Sequence, residues 1–211
     1  MGKIVSVIPI KLKNERLPDK NIKLLGNKSL LFYIQEALLQ VPEIDERYVY
    51  CSNDAVCPYL EKGISYLQRP AFLDENTANF TQIFEEFSRV VKADIYVYAH
   101  ATAPFSRSET ITECIEKVLN DSYDSAFTAV KIQDFLWKDG QAWNFDAANV
   151  PRSQDLDVIY RESSGVYVFK KEVFEQYRRR VGIRPYIKEV GYREAVDINT
   201  LVDFELAERL L

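Results

Sequence analysis

Histidine is nearly absent from this chain of 211 residues, which contains only His100. A metal site built from several histidines is therefore excluded, and any nucleophile–histidine mechanism would have to use His100 itself. Cysteine is scarce as well: there are three, Cys51, Cys57 and Cys114, and no two of them form a C-x-x-C pair. An odd number of dispersed cysteines argues against a disulfide framework or a zinc knuckle, and we expect a protein of the reducing cytoplasm.

The chain also lacks an excess of positive charge and a long apolar run. Lysine and arginine number 27 against 32 aspartates and glutamates, so the net charge is −5 and the pI is near 5.1. Nucleic-acid-binding domains usually carry a basic face and a pI above about 9, so no nucleic-acid partner is expected. The apolar run at residues 4–10 is far shorter than the roughly 20 residues that span a bilayer, so no membrane partner is expected.

Two glycine-rich phosphate-binding motifs are missing, because neither G-x-x-x-x-G-K-[ST] nor G-x-G-x-x-G occurs in the sequence. Apolar residues make up 47 % of the chain, which lies in the ordinary globular range of about 45–50 %. The length and composition predict a single domain over residues 1–211 with a sizeable core.

Short apolar runs alternate along the chain with segments of helical periodicity. Phe80, Ile83, Phe84 and Phe87 recur at the spacing of one helix face. This alternation predicts an α/β fold with a doubly wound, mostly parallel sheet, in which ligands bind beyond the carboxyl ends of the strands. The runs expected to be strands are 4–10, 48–51, 95–99, 126–130 and 166–169.

Two residue pairs have the spacing of a capping box, in which two side chains cap a helix N-terminus reciprocally. Ser106 with Glu109 predicts a helix start before Ile111, and Thr200 with Asp203 predicts the start of the last helix.

The segment 133–157 interrupts the alternation and carries Trp137 and Trp143 among polar residues. We interpret it as an excursion from the sheet. Aromatic side chains with no sheet of their own to pack on suit a subunit interface. The segment therefore predicts a two-fold homodimer, in which it packs on the neighbouring subunit; the alternative is a flap folded over its own active site.

The segment 9–21 follows the first predicted strand and concentrates charge. It contains the cations Lys11, Lys13, Arg16 and Lys20 together with two carboxylates. Arginine holds phosphate oxygens with paired N–H donors, and lysine offers a mobile point charge. The segment is therefore a candidate phosphate-binding loop; the alternative is a charged loop exposed to solvent.

Seven segments, in order over residues 4–211, resemble the motifs of the acylneuraminate (CMP-sialic acid) cytidylyltransferase family. They are Arg16-Leu17-Pro18-x-Lys20-Asn21, Ser52-Asn53-Asp54, Arg69-Pro70-Ala71-x-Leu73, and residues 100–105, 124–127, 151–167 and 197–204. Two positions depart from the family pattern: Ile10-Lys11 stand where Ala-Arg is usual, and Asn199 stands where a second aspartate is usual. The chain is identified as a somewhat divergent member.

The resemblance implies the Rossmann-like fold of the nucleotide-diphospho-sugar transferases. It also implies a CTP-dependent nucleotidyltransferase with Mg²⁺ as cofactor, which joins CTP to an acidic sugar to give a CMP-sugar and pyrophosphate. The implied acceptor is a nonulosonate such as N-acetylneuraminate. Phosphoryl-type transfer depends on positioning and charge neutralisation, so a single histidine is sufficient. Two alternatives stay open: another acidic acceptor such as deoxy-octulosonate, and a non-catalytic nucleotide-binding relative.

The resemblance also implies roles for individual residues. The implied catalytic residues are Arg16, Lys20 and Asp197, of which the first two would hold the triphosphate. The implied nucleotide contacts are Pro9, Ile10, Lys11, Asn21, Arg69 and Ala78. The implied acceptor contacts are His100, Thr102, Arg152, Arg161 and Tyr167, with Arg152 as the first candidate for the acceptor carboxylate. The implied metal ligands are Asp197 and Asn199.

Four of these residues also have purely structural interpretations. Asp197 is a candidate N-cap of the last helix, because aspartate is common there. His100 is a candidate for a hydrogen-bonded buried histidine, and Arg152 for an ordinary surface arginine. Tyr167 is a candidate for an ordinary strand aromatic.

Overall fold

The computed structural model describes residues 2–120 and 122–211 of the chain. The strands are β1 (Ile4–Ile10), β2 (Leu24–Leu25), β3 (Lys28–Ser29), β4 (Glu46–Cys51), β5 (Ser65–Gln68), β6 (Ile95–Ala99), β7 (Ser125–Ile132), β8 (Trp137–Lys138), β9 (Gln141–Ala142), β10 (Ile159–Lys170) and β11 (Pro185–Glu189). The α-helices are α1 (Leu30–Leu39), α2 (Phe80–Val90), α3 (Ser108–Leu119), α4 (Lys171–Tyr177) and α5 (Leu201–Leu210).

One sheet of seven strands organises the molecule, in the order β11-β7-β10-β6-β1-β4-β5. β1 pairs in parallel with β4 and β6, β4 with β5, and β11 with β7. The mostly parallel sheet predicted from the alternation is therefore confirmed. The exception is β10, which runs antiparallel to both β6 and β7.

Helices cover both faces of the sheet, and this explains the nearly continuous apolar run of β1. Ile8 packs in one buried cluster with Leu31 of α1 and Ile111 of α3. Val7 points to the other face and packs with Phe84 of α2 and Phe174 of α4. A strand that is buried on both faces has a nearly continuous run of apolar residues rather than an alternating one.

One of the two predicted helix caps is confirmed. At the start of α5, Asp203 N–H donates to Thr200 Oγ1 and the Asp203 carboxylate accepts from Thr200 N, which completes a capping box. The prediction for Ser106 with Glu109 is wrong, because α3 begins only at Ser108. Ser106 N–H instead donates to Ala103 O in the turn that precedes the helix.

The excursion between β7 and β10 contains a small hairpin of β8 and β9. Asp139 and Gly140 connect the two strands with φ values of 54° and 76°, the left-handed conformation that favours an Asp-Gly pair in tight hairpins. Trp137 and Trp143 are 62 % and 57 % exposed, so the aromatic side chains of the excursion are open to a partner. The homodimer stays a prediction.

None of the helices in the described ranges is long and apolar enough to cross a membrane.

Candidate active site

A cleft of about 270 Å³ opens at the carboxyl ends of β1, β5 and β6. Because these strands are parallel, their carboxyl ends meet at one edge of the sheet, as the topology predicts for a ligand site. The residues proposed from the sequence that line this cleft are Pro9, Ile10, Lys11, Lys20, Asn21, Arg69, Ala78, His100 and Thr102. The fold thus brings the implied nucleotide contacts and two implied acceptor contacts together.

A larger depression, of about 600 Å³, lies elsewhere on the surface. Glu36, Arg107, Glu109, Arg193 and Glu194 supply its charged groups, and it contains none of the proposed site residues. Volume alone therefore does not identify the functional site. The smaller cleft is the better candidate because the loops after β1, β5 and β6 meet there.

Lys20 is the buried cation of the loop that follows β1. Its side chain is only 8 % exposed, and Nζ donates a hydrogen bond of 2.7 Å to Ile198 O. Burial lowers the pKa of Lys20; the nearby charge of Asp197 opposes this effect and that of Arg16 adds to it. A cation that is buried at energetic expense beside a cleft is poised to bind an anion there.

Arg16 and the segment 197–199 meet on the same side of the loop, next to the cleft. Arg16 Nη2 lies 3.1 Å from Asn199 Oδ1, and Asn199 Nδ2 donates to Asp197 Oδ2 over 2.7 Å. Ile198 N–H donates to Thr102 O over 2.8 Å, which holds the segment against the end of β6. The two implied metal ligands are therefore adjacent, and the cations of the loop face them.

Asp197 does not cap the last helix. The N-cap is Thr200, and its partner in the capping box is Asp203, whose Oδ2 accepts from Thr200 N and Asn199 N at 2.7 and 3.0 Å. Burial opposes ionisation of Asp203, but these hydrogen bonds outweigh it and lower its pKa. The capping interpretation of Asp197 is therefore wrong, and its carboxylate is available for another role.

The donor set near Asp197 fits a hard divalent cation that also binds a ligand. Mg²⁺ prefers oxygen ligands and is commonly held by one or two carboxylates together with substrate phosphates and water. Asp197 supplies one carboxylate. Asn199 presents its Nδ2 to that carboxylate and its Oδ1 to Arg16, so its amide would have to turn before its oxygen joined a metal ion beside Asp197. Within the described ranges no group of three or more histidine, cysteine or acidic side chains forms a metal cluster of its own, so substrate oxygens would have to complete the coordination.

Two buried polar atoms at the cleft lack a partner within the described residues. They are Arg69 Nε and Asn14 Oδ1, and both residues line the cleft. Arg69 is held by an ion pair of Nη2 with Asp74. Because buried polar groups are normally satisfied, both atoms are suited to a polar ligand. Asn14 was not singled out in the sequence; its only signal there is its place in the charged loop.

Lys11 spans the mouth of the cleft. Its Nζ donates to Asp74 O over 3.0 Å and to Asn76 Oδ1 over 2.5 Å, and its carbonyl oxygen accepts from Asn21 Nδ2 over 2.9 Å. The lysine that replaces the arginine usual in the family thus connects the loop after β1 to the segment after Arg69.

His100 stands at the end of β6 as a half-buried, neutral imidazole. Its Nδ1 hydrogen-bonds to Ser164 O. A carbonyl oxygen can only accept, so Nδ1 carries the proton and Nε2 is left as an acceptor. Burial, followed by the positive charge of Arg180, lowers the pKa of His100 to about 4. Such a group accepts a hydrogen bond from a ligand hydroxyl but is a weak base.

Tyr167 lies behind His100 and is buried rather than lining the cleft. Its ring centroid is 6.1 Å from that of His100, and its Oη donates to Glu162 Oε2 over 2.6 Å. Burial raises the pKa of Tyr167 to about 12, although Arg180 opposes the shift. Arg180 and Glu162 are neighbours of the site that were not singled out in the sequence.

Arg152 and Arg161 are not brought to the cleft within this chain. The Arg152 side chain is 72 % exposed and pairs with Asp155 at 2.7 Å. Arg161 is an exposed residue of β10 opposite Val130 of β7. Neither lines the cleft, so their roles toward an acceptor stay predictions.

The chain is similar to known proteins over nearly its whole length. The family described as Cytidylyltransferase matches residues 5–211. N-acylneuraminate cytidylyltransferase A of Danio rerio is 26 % identical over 203 residues, which cover 92 % of this chain and 47 % of that protein. Pseudaminic acid cytidylyltransferase of Campylobacter jejuni subsp. jejuni serotype O:2 is 22 % identical, with coverage of 99 % and 96 %.

This chain spans about half the length of several curated relatives that it matches, from 47 % to 52 %. A solved structure of CMP:2-keto-3-deoxy-manno-octonic acid synthetase complexed with CTP superimposes with a TM-score of 0.71 at 17 % identity, covering 99 % of this chain and 98 % of that one. At that identity the likeness supports the fold.

Proposed function

Since the chain belongs to the cytidylyltransferase family, we propose that its cleft joins CTP to an acidic sugar and releases pyrophosphate. The family resemblance drawn from the seven motifs is confirmed by the match over residues 5–211. The observation that carries the reaction is the meeting of the cations of the β1 loop with Asp197 and Asn199 beside the cleft.

The triphosphate lies against Lys20 and Arg16 in this proposal. Both cations neutralise phosphate oxygens, and Arg16 offers the paired donors that suit them. The acceptor hydroxyl attacks the α-phosphorus in line, a new P–O bond forms, and the bond to the β-phosphate oxygen breaks with pyrophosphate leaving. The hydroxyl proton passes to solvent, because the depressed pKa of His100, about 4, makes it a poor base.

A divalent cation fits the carboxylate of Asp197, and the amide oxygen of Asn199 would become a further donor once it turned from Arg16. Bound there together with the phosphates, Mg²⁺ would supply charge neutralisation at the transferring group. Asn199 brings an oxygen without charge, and its Oδ1 already faces Arg16. Asp197 is therefore the residue on which metal affinity depends most.

The remaining cleft residues position the two substrates. Asn14 Oδ1 offers the nucleotide an unpartnered acceptor, and Arg69 Nε offers it an unpartnered donor. Asn21 and Ala78 line the same cleft. His100 Nε2 accepts from the acceptor hydroxyl. We propose a nonulosonate such as N-acetylneuraminate as the acceptor, in line with the similarity to N-acylneuraminate cytidylyltransferase A; the likeness to a CMP:2-keto-3-deoxy-manno-octonic acid synthetase keeps deoxy-octulosonate as the alternative.

A pyrophosphate-release assay tests the reaction. The protein is incubated with CTP, Mg²⁺ and separately N-acetylneuraminate, pseudaminate, 3-deoxy-manno-octulosonate and a neutral hexose. We expect turnover with at least one acid and none with the hexose. Binding of CTP without pyrophosphate release for every acid would instead indicate the non-catalytic nucleotide-binding relative.

A further inference from the structure

Three consecutive arginines follow α4, and the chain turns the third of them toward the sheet. Arg178 ends the helix in the left-handed conformation, with φ 57°, and pairs with Glu85 on the outside of α2. Arg179 Nη2 donates to Gly182 O over 3.2 Å. The side chain of Arg180 is only 25 % exposed, so the run is not a uniform solvated face.

The guanidinium of Arg180 lies over the ring of Tyr167. The guanidinium carbon is 3.7 Å from the ring centroid, and Nη2 donates to Tyr167 Oη over 2.9 Å. The ring centroid of Phe80, the first residue of α2, lies 5.4 Å from the guanidinium carbon. Stacking between aromatic rings holds a guanidinium in a fixed plane and leaves its edge donors free for a planar anion.

The charge of Arg180 is only weakly compensated. Its nearest carboxylate, Glu162 Oε2, is 3.9 Å away from Nη2 and already accepts from Tyr167 Oη. Within residues 2–120 and 122–211, the guanidinium donates the single hydrogen bond to Tyr167. An arginine has five N–H donors, so most of them remain for water or a ligand.

Through Tyr167, Arg180 adjoins the His100 side of the cleft. Tyr167, over which it lies, packs edge-on against His100. Burial lowers the pKa of His100 and the positive charge of Arg180 adds to this effect, whereas burial raises the pKa of Tyr98 and Arg180 opposes it. Both residues line the cleft. Lys20 and Arg16, which the proposed function assigns to the triphosphate, belong to the loop after β1, whereas Arg180 follows α4. An acidic acceptor thus has a second, separate cation next to His100.

We propose that Arg180 is a specificity-determining residue, whose free guanidinium donors bind the carboxylate of the acidic acceptor beside His100. This inference rests on the proposed function and names the group that selects an acidic over a neutral acceptor. It assigns to Arg180 the role that the sequence suggested for Arg152 or Arg161. None of the three is among the residues that line the cleft, but Arg180 lies over Tyr167, which packs against His100, whereas Arg152 is exposed and pairs with Asp155.

Steady-state kinetics of pyrophosphate release test the assignment. Arg180→Met removes the charge, and Arg178→Met is the matched control, since it removes the same charge from the same run outside the cleft. Loss of a charge-assisted contact should raise the KM for the acidic sugar roughly 10–150-fold and leave the KM for CTP unchanged. Arg180→Lys keeps the charge without the paired donors, and we expect an intermediate KM. An unchanged acceptor KM in Arg180→Met and Arg180→Lys overturns the proposal.

A comparison of the acidic sugar with its methyl ester separates carboxylate binding from an indirect effect through Tyr167. The parent protein should prefer the acid strongly, and Arg180→Met should lose that preference. If Arg180→Met still prefers the acid as strongly as the parent does, the carboxylate is bound elsewhere and the proposal is refuted. Arg161→Met and Arg152→Met then show whether either of those residues binds it.

Because His100 is the only histidine, its imidazole signal in proton NMR reports ligand binding without turnover. With CTP present and metal removed by a chelator, titration of the parent with the acidic sugar should shift this signal. The apparent affinity should fall in Arg180→Met and not in Arg178→Met. Equal affinity in all three proteins, or no shift in the parent, overturns the inference. Binding that depends on Arg180 without pyrophosphate release refutes the proposed reaction alone.

Discussion

Replacement of Lys20 by methionine separates ligand binding from folding. Lys20→Met keeps the length of the side chain and removes the ammonium group, whose Nζ donates to Ile198 O over 2.7 Å. The native side chain is 8 % exposed, and burial, opposed by Asp197 and reinforced by Arg16, lowers its pKa. The charge is therefore held in the folded protein against its solvation preference.

This geometry predicts one effect of Lys20→Met on CTP affinity and another on the stability of the ligand-free protein. Loss of a charge-assisted contact to the triphosphate should weaken CTP binding by about 1.5–3 kcal/mol, which is roughly 10–150-fold in Kd. Loss of the hydrogen bond to Ile198 costs stability, whereas removal of a buried charge restores it. Without ligand, we expect Lys20→Met to melt no lower than the parent protein.

The assay combines calorimetric titration of CTP with melting curves in its presence and absence. A ligand at 100 times its Kd stabilises the folded state by about 2.7 kcal/mol, so CTP should raise the Tm of the parent clearly more than that of Lys20→Met at equal concentration. Lys13→Met is the matched control, because Lys13 is an exposed cation of the same loop that does not line the cleft; its affinity for CTP should be unchanged.

Two results would refute this reasoning. Unchanged CTP affinity in Lys20→Met would show that the buried ammonium does not contact the triphosphate. A large fall in the Tm of the ligand-free variant would show that Lys20 is a structural residue, whose hydrogen bond to Ile198 outweighs the burial of its charge.

Three further predictions concern the metal, the histidine and the assembly. Asp197→Asn should raise the Mg²⁺ concentration needed for turnover and leave the Tm without metal nearly unchanged, because Thr200 takes part in the cap of α5; normal turnover at low Mg²⁺ would contradict this. In the folded protein the pKa of His100 is about 4, below its usual value of 6.5. The neutral imidazole therefore contributes stability that is present above pH 6.5 and is lost as the pH falls toward 4. NMR titration measures this pKa, and a value near 6.5 would contradict the burial of the ring. Sedimentation should give twice the chain mass of 24.5 kDa, and Trp137→Ala with Trp143→Ala should abolish the dimer; a monomer with full activity would refute it.

Local sequence features determined much of the fold. The run at residues 4–10 forms β1 with the same bounds, and the periodic aromatic residues beginning at Phe80 form α2. Thr200 and Asp203 cap α5 as their spacing predicts. In each case the determining interaction connects residues close in the chain, or depends only on whether both faces of an element are buried.

The edge strands and the antiparallel strand of the sheet could be identified only from the tertiary structure. β5 and β11 lie at the two edges, where strands are only partly buried and their apolar pattern is weak. β10 runs antiparallel between β6 and β7, and the direction of a strand leaves no trace in its composition. The Ser106–Glu109 pair has the spacing of a cap, but Ser106 N–H is taken by Ala103 O in the preceding turn.

The candidate site also contains residues that the sequence indicates and residues that only the tertiary structure reveals. Lys20 and His100 were predictable, because each follows a predicted strand whose carboxyl end must face the cleft in a parallel sheet. Arg69 was indicated only by the family resemblance, since the strand before it, β5, was not predicted. Only the tertiary structure placed Arg180 against Tyr167. That contact depends on the left-handed turn at Arg178 and on the irregular register of β10 between Glu162 and Tyr167. Both are backbone features decided by how distant segments pack, so no spacing in the sequence indicates which of several arginines packs against Tyr167.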